Sequence, residues 1–248
     1  MATSANVMKS ARLTASQPLT RLLVLGAIAG PLVFTLAWFV LGFISPGYTM
    51  WGVHVAPYSA ISQPLSGLGL GPTAPFMNAA FIVSGLLMMA GAIGVFRAIP
   101  ELGTVARWTS TLLLAVPGLG AVIDGIFTLE TIFLHAIGFG LALTTVLGFP
   151  VIGFFLRRIP IWRRFGTWLL LGGPLTLALA VLYFMTFTPT VEGSMHGIAG
   201  LTERALVLEL DAWYVALGWL AFRRSTSGSD LTSGSSRRYS RSRSIDDN

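Results

Sequence analysis

Six apolar runs, each about as long as a lipid bilayer is thick, dominate this chain of 248 residues. They cover about 21–44, 74–96, 108–127, 131–156, 166–187 and 200–222. A helix needs about 20 apolar residues to cross a hydrocarbon core about 30 Å thick. The runs are continuous rather than alternating, so each predicts a helix that satisfies its own backbone and not a strand of a β-barrel. We therefore predict an all-α, multi-pass membrane protein with a six-helix bundle.

The composition excludes a soluble domain. Hydrophobic residues make up 54% of the chain and charged residues 10%, whereas a soluble domain has about 25% charged residues. The mean hydropathy is +0.74. The chain has no cysteine, so disulfides and thiolate metal ligands are excluded, and we predict no cofactor.

The basic residues predict how the helices are oriented, because cytoplasmic loops collect Lys and Arg. Fifteen of the sixteen Lys and Arg residues precede the first run, follow the last, or lie in alternate loops, and only Arg204 is on the opposite side. This regularity predicts that both termini are cytoplasmic. The sequence pI of about 10.5 then reflects orientation and contact with anionic membrane lipids, and no nucleic-acid partner is predicted.

The chain divides into three parts. Residues 1–20 are polar and predict a cytoplasmic N-terminal segment, and residues 21–222 hold the six-helix domain. The first apolar run is longer than the roughly 7–15 apolar residues of a signal peptide, so we predict that it is retained. Residues 225–248 are rich in Ser and Arg and have too few apolar residues to offset the entropy cost of ordering, which predicts a disordered cytoplasmic tail.

All three histidines and six of the ten acidic residues fall on the predicted outer side. His54, His135 and His196 with Asp124 and Glu130 are therefore candidates for a zinc site or an acid–base site. The sequence has no His-x-x-x-His or His-Glu-x-x-His pair that would place two ligands on one helix face. We predict interfacial histidines and no metal.

The stretch 124–135 joins the third and fourth runs and has a polar side chain at each end. Asp124 and His135 lie at facing ends of adjacent antiparallel helices, which predicts a direct hydrogen bond between them. The pair is interpreted either as a clasp that fixes the hairpin or as a carboxylate-oriented imidazole base.

Helix six carries an unusual set of charges. Arg204 and Asp211 are seven residues apart and differ by about 20° around the axis, whereas Glu209 is about 160° from Asp211. We predict that Asp211 faces inward with Arg204 above it and with Asn78 and Ser84 as neighbours. Glu209 must then find another partner, such as a subunit, a lipid headgroup or a loop, so a homo-oligomer through helix six is one interpretation.

The first loop, residues 45–73, is the longest internal loop and holds several hydroxyl groups, including that of Ser66. A nucleophilic serine would need a base and an oxyanion site, and the Gly-x-Ser-x-Gly elbow is absent. Hydroxyls that cap the loop or a helix start are the favoured interpretation.

Four stretches together resemble a known family. They are Pro57-Tyr-Ser-Ala-Ile-Ser-Gln-Pro-Leu-Ser-Gly-Leu-Gly69, Asn78 with the helix Phe81 to Arg97, Asp124-Gly-Ile-Phe127 ahead of His135, and Gly200-Leu-Thr-Glu203-Arg204. Over about residues 20–222 the chain resembles the bacterial six-helix membrane proteins known as domain of unknown function 998. Members often have an acidic residue after a Gly-x-Phe, for which Asp124 and Glu130 are both candidates. The resemblance implies the architecture and a bacterial cytoplasmic membrane, but no activity.

The leading functional hypothesis is recognition of a lipid or other amphiphile in a polar pocket open to the extracytoplasmic face. One rival is a membrane enzyme that acts on a lipid or isoprenoid-like substrate, with Asp124, His135 and Asp211 as acid–base groups. A second rival is a proton-coupled transporter of small solutes, and a purely structural protein is a third. The predicted ligand-binding residues are Arg204, Glu203, Asn78, Ser66, Glu130, His54 and His196.

Overall fold

The computed structural model describes residues 2–188 and 196–243, with side chains described over 18–188 and 196–224. Within these ranges, six helical segments are long and apolar enough to cross a membrane. They are Pro18–Ile44, Gly71–Arg97, Thr104–Ile126, Leu129–Leu156, Pro160–Thr186 and Ala199–Arg224. The predicted all-α, six-helix membrane architecture is confirmed.

The helices of the second, third and fifth spans begin and end within a few residues of the predicted limits. The first helix begins well before its predicted limit and the last helix ends well beyond its own, and the fourth span is divided. The bounds are α1 Ala2–Ile44, α2 Ala74–Arg97, α3 Thr104–Ile126, α4 Ile132–Ala142, α5 Thr145–Leu156, α6 Arg163–Thr186 and α7 Ala199–Arg243. The side chains of 1–17 and 225–248 lie outside the described residues, so the cytoplasmic N-terminal segment and the disordered tail stay predictions.

The fourth span is two helices rather than the single predicted one. The Thr144 N–H donates to the Leu141 carbonyl at 3.2 Å, a shorter-range bond than an α-helix makes. The Thr144 hydroxyl donates to the same carbonyl at 2.7 Å, and the Thr145 hydroxyl donates to the Ala142 carbonyl at 2.9 Å. Threonine hydroxyls that compete for backbone carbonyls therefore accompany this break, which the continuous apolar pattern does not reveal.

The first loop contains a small β-hairpin that was not predicted. Strand β1, Tyr48–Met50, pairs antiparallel with β2, Val53–Val55. The turn residues Trp51 and Gly52 both have positive φ, 50° and 81°, as a tight two-residue hairpin turn requires. We call the end of the bundle that carries this loop the hairpin end.

Glycines allow several helices to approach closely. A Cβ at Gly91 of α2 would overlap the backbone of Ala27 in α1, and a Cβ at Gly120 of α3 would overlap the Gly138 carbonyl of α4. Small residues at such contacts let membrane helices gain van der Waals packing without a hydrophobic driving force. The third and fourth spans therefore meet along Gly120 and Gly138, next to Asp124 and His135.

The buried side chains form two clusters. One cluster, at the hairpin end, includes Trp38, Tyr48, Leu65 and Met77. The other, toward the opposite end, includes Phe96, Ile152, Trp162 and Leu217. A cavity bordered by both clusters separates them.

The opposite end carries arginines that bind loop carbonyls. Arg107 donates to the Leu102 carbonyl at 3.0 Å, and Arg224 donates to the Ile161 carbonyl at 2.6 Å. The Arg224 guanidinium also lies 4.0 Å from the centre of the Trp162 ring. The predicted orientation, with this end in the cytoplasm, stays a prediction.

Candidate functional site

A short 3₁₀ turn in the first loop, Leu65–Gly69, brings Ser66 to the bundle. Pro64 precedes it with φ −66°, the value that its ring imposes. A Cβ at Gly67 would lie 2.7 Å from the Tyr48 ring, and one at Gly69 would lie 2.5 Å from the Asn78 side-chain oxygen. Glycine at both positions therefore lets the turn pack directly on β1 and α2.

Two neighbouring residues of α7 hold this loop in place. Glu203 Oε2 accepts the Leu65 N–H at 2.6 Å, so it fixes the residue before Ser66. Arg204 is 6% exposed and donates to three loop or helix carbonyls and to the Tyr58 hydroxyl, at 2.8 Å (Ala60), 3.1 Å (Gln63), 2.9 Å (Gly200) and 2.5 Å (Tyr58). Arg204, which was predicted to lie above Asp211 on the same helix face, is thus a clamp on the first loop.

Tyr58 is the partner of Arg204 inside the loop. Its hydroxyl donates to the Pro64 carbonyl at 3.2 Å while it accepts from Arg204. Burial raises the pKa of Tyr58 from 10.0 to about 12, and the nearby Arg204 guanidinium only partly opposes this. The phenol is therefore held in its neutral, donating form.

We predict an alkaline loss of stability that depends on Tyr58. Since the pKa of Tyr58 rises from 10.0 to about 12 on folding, the contribution of Tyr58 to the free energy of unfolding is intact below pH 10. That contribution is lost as the pH rises to 12. One pKa unit corresponds to about 1.4 kcal/mol, so the loss approaches about 2–3 kcal/mol. Melting temperatures from pH 8 to 12 should fall more steeply for the wild type than for Tyr58→Phe. Parallel curves would contradict the prediction.

The central cavity has a volume of about 80 Å³ and an unusual wall. It is bordered by α1, α2, α3, α4, α5, α7 and the 3₁₀ turn. Aromatic and aliphatic side chains such as Phe34, Phe81 and Leu210 form most of its surface. Three carboxyl side chains and two serines interrupt this apolar wall: Asp124, Glu203, Asp211, Ser66 and Ser84. We call it the acidic cavity.

The two carboxylates in the middle of α7 have different partners. Asp211 lines the acidic cavity together with the predicted neighbour Ser84, and it accepts a hydrogen bond from the Thr35 hydroxyl at 2.7 Å. Glu209 accepts from the Thr176 hydroxyl of α6 at 2.8 Å and from the Trp213 indole at 2.5 Å. Both oxygens of Glu209 are thus bonded within the chain, and a homo-oligomer through helix six stays a prediction.

His135 links the fourth span to the first loop. Its Nε2 lies 2.7 Å from the Ser66 hydroxyl oxygen, and its Nδ1 lies 2.8 Å from the Phe127 carbonyl oxygen. A carbonyl oxygen only accepts, so Nδ1 carries the hydrogen and Nε2 presents a lone pair. The Ser66 hydroxyl therefore donates to His135 Nε2.

Asp124 stands beside the same imidazole. Its Oδ1 lies 3.4 Å from His135 Nδ1, but the Nδ1 hydrogen points to Phe127, so the predicted direct hydrogen bond is replaced by a longer contact. Among the described residues, Oδ1 is buried and has no hydrogen-bond partner. A Cβ at Gly138 would overlap this oxygen. Glycine at 138 therefore makes the room in which the carboxyl stands next to His135.

The remaining predicted site residues lie away from the acidic cavity. Asn78 donates to the Gly69 carbonyl at 3.2 Å and so supports the 3₁₀ turn. His54 is exposed and pairs with Thr49 in the β-hairpin, at 3.2 Å. Glu130 and His196 are exposed. Within the described ranges, no three His, Asp or Glu side chains converge to hold a metal ion.

Three residues that were not predicted from the sequence also bind the charged residues of the site. Thr35 binds Asp211, Tyr58 binds Arg204, and Thr176 binds Glu209. The two threonines interrupt otherwise apolar runs, which is a signal that a helix has a polar contact inside a membrane bundle. Their partners depend on how the helices pack, and the sequence pattern does not contain that information.

Comparison with known proteins identifies a family for this chain. Searches of curated proteins and of solved structures gave no match. A family model described as "Protein of unknown function (DUF998)" matches residues 27–220, which include the 3₁₀ turn, Asp124, His135 and the charged part of α7. The chain therefore belongs to the DUF998 family.

Proposed function

We propose that this protein binds an amphiphile with a neutral or cationic head in the acidic cavity. The observation that carries the proposal is the cavity wall, in which Asp124, Glu203 and Asp211 are set among apolar side chains and no Lys or Arg is present among the described lining residues. A cavity of about 80 Å³ has room for a small head group and the first carbons of a chain, and a few convergent polar groups can orient them.

The charge of the cavity supports a head that donates hydrogen bonds. Carboxylate oxygens accept only, whereas a serine hydroxyl both donates and accepts. Arg204, which was predicted to bind the ligand, instead donates to Ala60, Gln63 and Tyr58 of the first loop and does not line the cavity. A hydroxyl-bearing or amine-bearing head therefore fits this wall better than a phosphate does, because a phosphate would meet three carboxyls without a cation.

The position of the cavity supports recognition from the hairpin end. Leu65 and Ser66 of the first loop form part of its wall. By the distribution of Lys and Arg, we propose that this end faces the extracytoplasmic side of a bacterial cytoplasmic membrane. The ligand would then come from the membrane lipids themselves.

A cross-linking experiment tests this function. The probe is a 1-O-alkylglycerol with a diazirine in its alkyl chain, compared with an alkyl lysophosphatidate of equal chain length that carries the same diazirine. We expect the purified full-length protein to cross-link the glycerol ether at least tenfold more than the phosphate. Filling the cavity by Ala121→Phe should abolish this labelling.

Ala205→Phe is the matched control, since Ala205 is exposed on α7 and Ala121 lines the cavity. The control should label like the wild type. Equal labelling by the two lipids, or labelling that survives in Ala121→Phe, would contradict the proposed function.

A further inference from the structure

We propose that Ser66 is a nucleophile activated by His135, and that the protein cleaves an acyl ester whose carbonyl group lies at the acidic cavity. This inference rests on the proposed function and adds a reaction to it. It was not expected from the sequence, in which no serine has the surroundings of a known nucleophile motif.

A hydrogen bond joins Ser66 and His135. Ser66 Oγ lies 2.7 Å from His135 Nε2, within the reach of a general base for the proton that it removes. Ser66 itself is half-buried and lines the cavity. The nucleophilic oxygen is therefore accessible from the space in which a ligand would lie.

The protonation state of His135 suits this role. The Phe127 carbonyl accepts from Nδ1 at 2.8 Å, so the lone pair is on Nε2 and faces the Ser66 hydroxyl. This is the tautomer that a general base needs. The Phe127 carbonyl stabilises it by accepting from Nδ1, and in serine hydrolases of unrelated folds an acceptor on the same nitrogen has this role.

A positive charge would form on His135 during the reaction. When Nε2 takes the proton, the imidazole becomes a cation, and Asp124 Oδ1 lies 3.4 Å from its Nδ1. That oxygen is buried without a hydrogen-bond partner among the described residues. We assign Asp124 as a positioning residue that stabilises the imidazolium.

Two further residues hold Ser66 in register. Glu203 accepts the Leu65 N–H at 2.6 Å, and Asn78 donates to the Gly69 carbonyl at 3.2 Å, so both ends of the 3₁₀ turn are tied to membrane helices. A serine placed on such a turn has a defined position relative to the base, as attack on a bound carbonyl requires.

The reaction balances with water as the only co-reactant. Ser66 Oγ bonds to the ester carbonyl carbon, and its proton passes to His135 Nε2. The carbon–oxygen bond to the alcohol then breaks, and the alcohol takes the proton from Nε2. Water attacks the acyl-serine in the same way and releases a carboxylic acid, which restores Ser66 and neutral His135. No oxidation or reduction occurs.

The structure indicates the substrate class. The ester must carry an acyl chain for the apolar wall and an uncharged, hydroxyl-bearing alcohol for the carboxyls of the cavity. A monoacylglycerol has both features, whereas an ester with a phosphate head lacks the uncharged alcohol. We therefore expect hydrolysis of 1-monoacylglycerol to a fatty acid and glycerol.

An alkyl fluorophosphonate tests the nucleophile, because activated serines displace its fluoride and keep the phosphonyl group. We expect mass spectrometry of the full-length protein to find this adduct on Ser66. Ser66→Ala should carry no adduct at position 66, and His135→Gln should react at least a hundredfold more slowly. Ser62→Ala is the matched control, since Ser62 is buried in the same loop, and it should react like the wild type.

The outcomes separate this inference from the proposed function. If the wild type cross-links the glycerol ether but forms no Ser66 adduct and releases no fatty acid from 1-monoacylglycerol, binding stands and the nucleophile is refuted. If the ether fails to bind, the proposed function itself is refuted. A Ser66→Ala protein that still binds the ether but has lost hydrolysis would support the inference, because loss of a purely structural clasp would not remove hydrolysis alone.

Discussion

Arg204→Ala is expected to lower the free energy of unfolding by about 3–5 kcal/mol, because hydrogen bonds to a charged group contribute about 1.5–3 kcal/mol each and are not additive. The variant would leave the carbonyls of Ala60 and Gln63 without this donor and would remove the Arg204 bond to the Tyr58 hydroxyl. Equilibrium unfolding in mixed micelles measures the change.

Arg204→Lys should recover less than half of this loss. The guanidinium presents its donors in a fixed fork that reaches carbonyls and the phenol together, whereas an ammonium is a compact charge on a flexible stem. Arg97→Ala is the control, because Arg97 is exposed at the other end of α2, and such substitutions usually change stability by about 0.5 kcal/mol or less. Equal losses in Arg204→Ala and Arg97→Ala would refute the clamp.

The clamp also connects stability to the site. If Arg204 and Glu203 hold the first loop on α7, Arg204→Ala should increase proteolytic cleavage within 56–70 before the bundle unfolds, because local opening needs less free energy than global unfolding. Cleavage that begins only with global unfolding would show that the loop is held by other contacts.

Gly138→Ala is expected to lower the free energy of unfolding, with the second largest effect after Arg204→Ala. Gly140→Ala is expected to raise it. A Cβ at Gly138 would overlap Asp124 Oδ1 and lie 2.8 Å from the Gly120 carbonyl, whereas a Cβ at Gly140 would meet nothing within 4 Å. Overpacking usually costs about 1–3 kcal/mol. In the open position alanine favours the helix by up to about 1 kcal/mol over glycine.

The same pair of variants tests the positioning role of Asp124. We expect Gly138→Ala to slow formation of the Ser66 adduct at least tenfold, because the displaced carboxyl no longer faces His135, while cross-linking of the glycerol ether is kept. Gly140→Ala should match the wild type in both measurements. If Gly138→Ala lost binding and adduct formation in parallel, it would act through the whole fold and not through Asp124.

The sequence was sufficient for the architecture because membrane helices are constrained by length and polarity alone. Each apolar run has to satisfy its own backbone in hydrocarbon, so the starts and ends of α2 and α6 follow closely from where apolar residues begin and end. The break between α4 and α5 does not follow, because Thr144 and Thr145 look like ordinary members of an apolar run until their hydroxyls bind backbone carbonyls.

The sequence also pointed to the residues that matter but not to their partners. Helical periodicity places Arg204 and Asp211 on one face of α7, which predicted that Arg204 lies above an inward-facing Asp211. In the structure, Arg204 binds the first loop and Asp211 binds Thr35. A long side chain can bind any acceptor within its reach. The loop carbonyls that bind Arg204 are brought close by tertiary folding, so the spacing of charges in the sequence does not predict them.

From the sequence by itself, the chain is determined to be a six-helix membrane protein with acids and histidines near one end. Only the tertiary structure decided that Ser66 meets His135, since the two residues are 69 positions apart and belong to a loop and a helix without a shared pattern. It also decided that the Phe127 carbonyl orients the imidazole. The physical reason is that the hydropathy of consecutive residues determines where membrane helices form. A nucleophile and its base, in contrast, depend on the distance between two side chains that are far apart in the sequence.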